Sequence, residues 1–262
     1  MKDMIPEMVK VVRYRRETDD SFTIRLDKKI EHMPGQFLII GLPGIGECPI
    51  SICSYSDSYI ELHIRQVGNV TNALAKLKAG DKVWIRGPYG NGYPMDWAKD
   101  KDIVLIGGGC GVAPIRGVIE YLMKNINLYA NIHIFLGFRN ERSIAFAYDM
   151  DKWKKSVKLN ISLDRIENKS GCKIDAKEGF VTELLKEFEP EKKTIAMMCG
   201  PEIMMKFASK ILIEKGIRKK NIFVSLERLM YCGVGKCCHC MLDNGLLVCK
   251  HGPVFSLEEV EL

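Results

Sequence analysis

The chain of 262 residues lacks the features that would place it in a membrane, on nucleic acid or outside the cell. No apolar run approaches the ~18 uninterrupted residues of a membrane span. The net charge of +6 is modest and spread along the chain, so there is no basic footprint for nucleic acid. The opening Met1-Lys-Asp-Met-Ile-Pro-Glu7 has no charged-then-apolar layout of a secretory signal. There is no internal repeat and no low-complexity stretch, and no Ser-His-Asp or paired-carboxylate arrangement stands out. At 47% hydrophobic and 27% charged residues, the composition is that of an ordinary globular protein, long enough for two domains and a small appendage. Cysteine is not scarce. Ten cysteines without a secretory signal read as metal ligands and core residues, not disulfides, and imply a reducing, cytoplasmic setting.

Four of them carry the strongest signal. Cys232-Gly-Val-Gly-Lys-Cys237-Cys-His-Cys240 is followed, after eight residues, by Cys249. This is the plant-type ligand spacing of a [2Fe–2S] cluster, whose iron takes soft thiolate donors. Gly233 and Gly235 can adopt positive φ, which lets the loop wrap closely and aim N–H groups at the cluster sulfurs. Asn244-Gly245 predicts a two-residue type I′ hairpin. In that register Asp243 pairs with Leu246, Leu242 with Leu247, Met241 with Val248, and Cys240 with Cys249. Opposed residues lie about 4.5–5.5 Å apart at Cβ, so the hairpin would bring both thiols to one centre. Zinc is the competing metal, although zinc sites usually show two separated Cys-x-x-Cys pairs; free buried cysteines are the remaining alternative. Cys238 must point away from the centre, and His239 is expected to support the loop instead of binding metal.

Three segments follow one another. Residues 1–97 alternate apolar and polar residues in Val9–Arg15, Phe22–Leu26 and Tyr59–Val67, with turn signals at Pro34-Gly35, Pro43-Gly44, Gly80-Asp81 and Gly87-Pro88. Thr71–Leu77 reads as a short helix, and a small closed antiparallel barrel fits the pattern. Residues 98–222 alternate strands with helices. Strands are expected at Asp102–Ile106, Ile132–Gly137, Val157–Leu163 and Thr194–Cys199, and helices from Ile115 to Ile126 and over about 180–188 and 201–215. Such alternation implies a parallel sheet with helices on both faces. Residues 223–262 hold the cysteine loop, a piece too small for its own core, whose metal would fix its fold.

Two turns bear on nucleotide binding. Gly107-Gly-Gly-Cys-Gly111 lies where a strand gives way to a helix, and Pro114 suits the helix's first turn. A glycine-rich turn lets backbone N–H groups approach a pyrophosphate, and the helix start favours its charge. The same glycines could serve close packing alone. Cys199-Gly200-Pro201 also follows a strand and precedes a helix, so both turns should open on the sheet's carboxyl edge, where α/β folds bind ligands. In the barrel, Pro49-Ile-Ser-Ile-Cys-Ser54 and Arg65-Gln-Val-Gly68-Asn-Val-Thr71 offer hydroxyls, a guanidinium and a glycine, or are plain strand ends.

Together with Pro34-Gly-Gln-Phe37, Gly87-Pro-Tyr-Gly90 and Ser225-Leu-Glu-Arg-Leu-Met-Tyr-Cys232, these motifs resemble the ferredoxin–NADP reductase superfamily. More narrowly, the chain resembles electron-transfer subunits that append a C-terminal [2Fe–2S] cluster. The resemblance implies a β barrel plus α/β architecture: an antiparallel FAD-binding barrel (1–97), a parallel-sheet NAD(P)-binding domain (98–222) and a small C-terminal iron–sulfur module (223–262). It assigns Pro49, Ser51, His63, Ile64, Arg65, Val70 and Thr71 to FAD. It assigns Gly107, Gly108, Gly109, Gly111, Pro114, Cys199, Gly200 and Pro201 to the dinucleotide, and Cys232, Cys237, Cys240 and Cys249 to the metal. Cys199 falls near the nicotinamide; Cys110 is read as packing. NADH is the expected donor, with NADPH left open by Arg139 and Arg142 and a ribose contact suggested by Asp164. The implied activity is an oxidoreductase relay from NADH through FAD and the cluster to a partner catalytic subunit, with no catalytic side chain required. Among relatives, Gly46-Glu-Cys-Pro-Ile-Ser51 and Cys237-Cys-His-Cys240 match the electron-transfer subunits of anaerobic sulfite reductases and the gamma subunits of sulfhydrogenases, and compact length leans to the former. The electron-transfer subunit of class 1B dihydroorotate dehydrogenase instead begins its flavin motif Arg-Pro, where Glu47-Cys48 precedes Pro49 here. A flavin-free, zinc-stapled nucleotide-binding module is the expectation from another class.

Overall fold

A computed structural model describes residues 4–167 and 174–262. Met1–Asp3, part of the opening stretch read above, and Cys172 lie outside the described residues. The chain divides into two compact units: residues 1–93, 116–120 and 226–254, and residues 94–115, 121–225 and 255–262.

The first unit is built on β1 (Glu7–Arg16), β2 (Ser21–Leu26), β3 (Phe37–Leu42), β4 (Gly46–Ser51), β5 (Ile60–Arg65), α1 (Asn69–Leu74) and β6 (Lys82–Tyr89). Its antiparallel strands run in the order β4-β3-β6-β1-β2-β5. The two ends meet through the Ile52–Leu62 bridge, where the Cys53 N–H also donates to the Glu61 carbonyl at 3.0 Å, so the expected barrel closes. Inward positions such as Val11, Ile24, Leu38, Leu62 and Ile85 form its core. Strand alternation dictates this, since every second side chain faces one side. The opposite face of β5 is buried too. There Glu61 accepts from Arg25 at 2.8 Å and from Arg116 at 3.0 Å, and Arg116 also pairs with Glu120 at 2.8 Å. Breaking one partner of such a buried pair is costly because it strands a charge.

Helix α1 is earlier than the expected Thr71–Leu77. The Thr71 hydroxyl accepts from the Val67 and Gly68 N–H groups, at 2.9 and 3.0 Å, so Thr71 is the third residue of the first turn, not its start. A six-residue helix is marginal alone; burial of Leu74 in the barrel core holds it.

The second unit comprises β7 (Asp102–Gly108), α2 (Val112–Lys124), β8 (Ile132–Phe138), α3 (Ala147–Lys154), β9 (Lys158–Leu163), β10 (Lys177–Glu178), α4 (Val181–Lys186), β11 (Thr194–Cys199), α5 (Glu202–Glu214) and β12 (Ile222–Ser225), with residues 116–120 of α2 counted in the first unit. After them come α6 (Val248–His251), in the first unit, and β13 (Val254–Ser256). The sheet order is β10-β9-β8-β7-β11-β12-β13, and β10 through β12 pair in parallel. Strands β7 and β11 are buried along their whole length, as the continuous apolar runs of a parallel sheet require. Helix α3 has only a weak apolar face, Met150 and Trp153, which is why periodicity did not reveal it. No helix of the described residues is long and apolar enough to cross a membrane.

Candidate functional site

The cysteine loop belongs to the first unit. Gly233 and Gly235 take φ of +75° and +74°, the left-handed region that suits glycine. The turn this creates directs N–H groups at sulfur. Lys236 and Cys237 donate to Cys232 Sγ at 3.3 and 3.4 Å, Gly235 donates to Cys249 Sγ at 3.2 Å, and Cys249 donates to Cys240 Sγ at 3.4 Å. Burial opposes ionisation of Cys232, yet the N–H groups of Cys237, Val234 and Lys236 bring its thiol down to about 6. Burial and then the Cys240 thiol push Cys249 up to about 12. The Cys237 side chain helps to lower Cys232, and Cys240 and then Cys232 help to raise Cys249, so the four thiols lie close enough to influence one another's ionisation. Thiols beside a set of backbone N–H donors suit an iron–sulfur centre, whose sulfurs accept such hydrogen bonds.

The approach of Cys249 to Cys240 differs from the expected hairpin. Met241 bridges Leu247, and the Leu242 N–H donates to the Leu246 carbonyl at 2.8 Å, so the register is shifted by one and Cys240 does not face Cys249 across a ladder. Gly245 takes φ +83° after Asn244, whose Oδ1 accepts from Leu246 N–H at 3.2 Å, producing a wider turn. Helix α6 then carries Cys249 back. His251 Nδ1 accepts from Leu247 N–H at 2.9 Å and anchors that turn, a role sequence patterning did not indicate. Cys238 is exposed with φ +58°, its thiol directed at the Lys236 carbonyl 4.0 Å away, and His239 packs its ring 4.3 Å from Tyr231.

On the barrel, Pro49 and Ser51 lie on β4, His63, Ile64 and Arg65 on β5, and Val70 and Thr71 on α1. The Ile52–Leu62 bridge brings the first two strands together, and Val70 lies against Gly46, where a Cβ would sit 3.2 Å from its methyl. The half-buried Ser51 hydroxyl has no side-chain hydrogen bond among the described residues, which leaves a donor for an anionic group. Other side chains are engaged. His63 Nδ1 lies 3.3 Å from Thr23 Oγ1, Ile64 is in the core, and Arg65 pairs with Asp20 at 2.7 Å. His63 and Ile64 therefore present backbone to this edge. The position before Pro49 holds Cys48, half-buried, whose thiol burial pushes up to about 11. Hydroxyl, glycine turn and backbone edge fit FAD, with Arg65 the cation of the set.

In the second unit, β7 and β11 pair with Gly107 opposite Cys199, so both turns leave the sheet at one edge, as expected. A Cβ on Gly111 would lie 2.3 Å from the Cys199 carbonyl oxygen, and one on Gly108 2.3 Å from the Met204 sulfur. Gly109, at φ +53°, faces open space. No side chain caps the start of α2, where Pro114 sits in the first turn; the Val112 N–H is taken by the Cys110 and Gly109 carbonyls, and the positive end of the helix faces the glycine turn. Cys199 is buried with its thiol directed at the Ser225 carbonyl, 3.9 Å away. Cys110 is exposed, not packed as expected, because the loop's turn carries it outward beyond Gly109.

The chain matches three domain families in series: the oxidoreductase FAD-binding domain over residues 16–93, the oxidoreductase NAD-binding domain over 105–210, and the iron–sulfur cluster binding domain of dihydroorotate dehydrogenase B over 227–261. Fold and site thus define an iron–sulfur flavoprotein oxidoreductase. It is 39% identical over 259 residues to sulfhydrogenase 1 subunit gamma of Pyrococcus furiosus, covering 93% of this chain and 87% of that one. It is 35% identical over 255 residues to a probable dihydroorotate dehydrogenase B (NAD(+)) electron transfer subunit of Methanocella arvoryzae, covering 97% and 91%. The structure of an NADH-dependent reduced ferredoxin–NADP oxidoreductase, studied for flavin-based electron bifurcation, aligns with TM-score 0.80 at 26% identity, covering 97% and 90%. The chain belongs to the family of iron–sulfur flavoprotein electron-transfer subunits to which the sulfhydrogenase gamma and dihydroorotate dehydrogenase B proteins belong.

Proposed function

We propose that the protein passes reducing equivalents from NADH to a separate catalytic subunit in a reducing cytoplasm. The observation that carries this is the set of backbone N–H groups aimed at the sulfurs of Cys232, Cys240 and Cys249, in a unit that also holds the Pro49–Ser51 strand. When bound, FAD supplies the change from two-electron to one-electron transfer, and the cluster supplies one-electron carriage.

The chain's own residues bind and orient. Pro49, Ser51 and Arg65, with the backbone of His63 and Ile64 and the Val70–Thr71 turn, hold FAD. Gly107, Gly108, Gly109 and Gly111 let backbone N–H groups approach the dinucleotide pyrophosphate at the α2 start, where Pro114 pre-sets the helix. Cys199, Gly200 and Pro201 border the same edge and hold the nicotinamide side. Preference for NADH is supported by the loops after β8 and β9. Glu141 Oε2 accepts from Glu167 N–H at 3.3 Å, and Asp164 lies within electrostatic reach of Arg139. Either carboxyl can accept from a ribose hydroxyl, the contact that favours NADH, while Arg139 keeps NADPH open.

For the partner, we put a sulfhydrogenase-type catalytic subunit first, on the 39% and 38% identity over 259 and 256 residues to two gamma subunits, ahead of a dihydroorotate dehydrogenase, whose electron transfer subunit matches at 39% over 234 residues. An anaerobic sulfite reductase is the second reading, favoured by Gly46-Glu-Cys-Pro-Ile-Ser51 and the compact length.

A visible spectrum of anaerobically purified protein, before and after NADH, tests the core of this. Flavin bands with broad iron–sulfur absorbance, both bleached by NADH, are expected. A colourless protein holding zinc after reducing reconstitution overturns it. Mixing the reduced protein with hydrogenase or sulfite reductase catalytic subunits then identifies the acceptor by which one turns over on NADH.

A further inference from the structure

Strand β6 alternates Val83 and Ile85 inward with Lys82 and Trp84 outward, so Arg86 falls on the barrel's outer side, beside a shift in register against β3. An outward arginine on a strand is ordinarily solvated. Arg86 is only 7% exposed, and every guanidinium nitrogen is committed. Nε donates to Glu47 Oε2 at 3.0 Å and Nη2 to Glu47 Oε1, a bidentate fork. Nη1 donates to the Cys232 carbonyl at 2.5 Å and Nη2 to the Tyr231 carbonyl at 2.8 Å. Nη1 also lies 3.5 Å from the Tyr89 hydroxyl.

The two ends of this clamp belong to different pieces of chemistry. Tyr231 and Cys232 open the cysteine loop. Glu47 is on β4, two residues before Pro49, and Pro49 and Arg86 both register with Ile39 on the strand between them. The loop reaches this surface closely because Gly233 has no side chain: a Cβ there would sit 3.0 Å from Tyr89 Cδ2 and 3.1 Å from Ile39 Cδ1. Lysine could not replace the arrangement, because only a planar fork serves a carboxylate and two carbonyls at once.

We propose that Arg86, oriented by Glu47, is a positioning residue for the iron–sulfur loop: it fixes the carbonyls leading into Cys232 on the strand system that carries Pro49, and sets the charge beside the cluster. This rests on the assignment of Cys232, Cys237, Cys240 and Cys249 to a cluster. A buried cation near the centre favours its reduced, more negative state, and a carboxylate opposes that. Charge removal on the two sides of the pair must therefore act with opposite sign.

The test is an anaerobic redox titration of the cluster in full-length wild type, Arg86→Gln, Arg86→Lys and Glu47→Gln. Iron, sulfide and flavin content and the electron paramagnetic resonance signal of the reduced protein are read alongside. Arg86→Gln is expected to lose at least half its iron per flavin and to shift the remaining cluster to a more negative potential. Glu47→Gln is expected to shift it to a more positive one, and Arg86→Lys to keep more iron than Arg86→Gln with an altered resonance signal. Where Arg86→Gln fails to fold, shown by absent flavin, Glu47→Gln and Arg86→Lys decide. Wild-type iron, signal and potential in the folded variants overturn the proposal, as does a shift of one sign in both charge-removing variants, which mere loosening would give. Wild-type protein without iron and sulfide overturns the cluster assignment and this inference with it.

Discussion

The cysteine loop and the glycine turns of the second unit are built to hold a ligand by opposite means. The loop works through side chains, four thiols, with backbone N–H groups as support. The turns at Gly107–Gly111 and Cys199–Pro201 work by having almost no side chain, so that two backbones come within contact distance. A thiol ligand is lost by changing one atom, whereas a glycine contact is lost by adding one. Damage should therefore be local chemistry in the first region and packing in the second.

The largest effect should come from Cys237→Ser. Iron and sulfide should fall to near nothing while the flavin remains and is still bleached by NADH; metal analysis and a visible spectrum read this directly. Loss of flavin reduction as well would break the division between the two regions.

Next is Gly111→Ala. Its Cβ would meet the Cys199 oxygen at 2.3 Å and the Gly200 nitrogen at 2.4 Å, backbone atoms that cannot swing aside. A cost of more than about 3 kcal/mol is expected by thermal unfolding, with iron per folded chain unchanged. Ordinary stability would mean that the close approach of the two turns is not obligatory.

A third effect lies in the barrel and concerns pH. Burial first, and the Arg116 charge second, lower His63 to about 4 from 6.5. The unfolded chain binds that proton more readily, so the contribution to stability is fully present above about pH 6.5 and is lost as pH falls towards about 4. It amounts to up to roughly 3 kcal/mol. Thermal unfolding of His63→Gln against wild type across this range should show the slope flattened in the variant; equal slopes would sink the assignment.

The smallest effect sharpens the glycine side. Gly109 has open space around its missing Cβ but sits at φ +53°. Gly109→Ala should cost only about 1–2 kcal/mol of backbone strain, and a modest rise in KM for NADH is its expected kinetic signature. If it matched Gly111→Ala, conformation and not contact would govern the turn.

Legibility followed how local each cause is. β1, β2, β5 and β9 are visible as alternation, and β7, β8 and β11 as apolar runs, because each states its burial within a few residues. Strands β3, β4 and β6 sat between turn signals without clean alternation, since β3 is buried along nearly its whole length and β6 mixes both faces. The short β10, β12 and β13 exist only because longer neighbours offer an edge. At the site, Gly233 and Gly235 revealed their positive φ through glycine itself. Arg86, Glu47 and His251 carried no comparable signal, because an isolated charged residue on a strand or short helix looks solvated until its partners arrive.

By itself the sequence determined the spacing of Cys232, Cys237, Cys240 and Cys249, the glycine turns and the change from alternating strands to strand–helix units. Each depends on what one residue type can do chemically or conformationally at close spacing. The tertiary structure decided how Cys249 reaches Cys240, through α6 and not a hairpin ladder, and that Arg86 is buried under the loop between Glu47 and the carbonyls of Tyr231 and Cys232. Those outcomes depend on contacts between segments far apart in the chain, such as the 146 positions that separate Arg86 from Cys232. Such contacts form only once the core has packed and brought their partners within hydrogen-bonding distance.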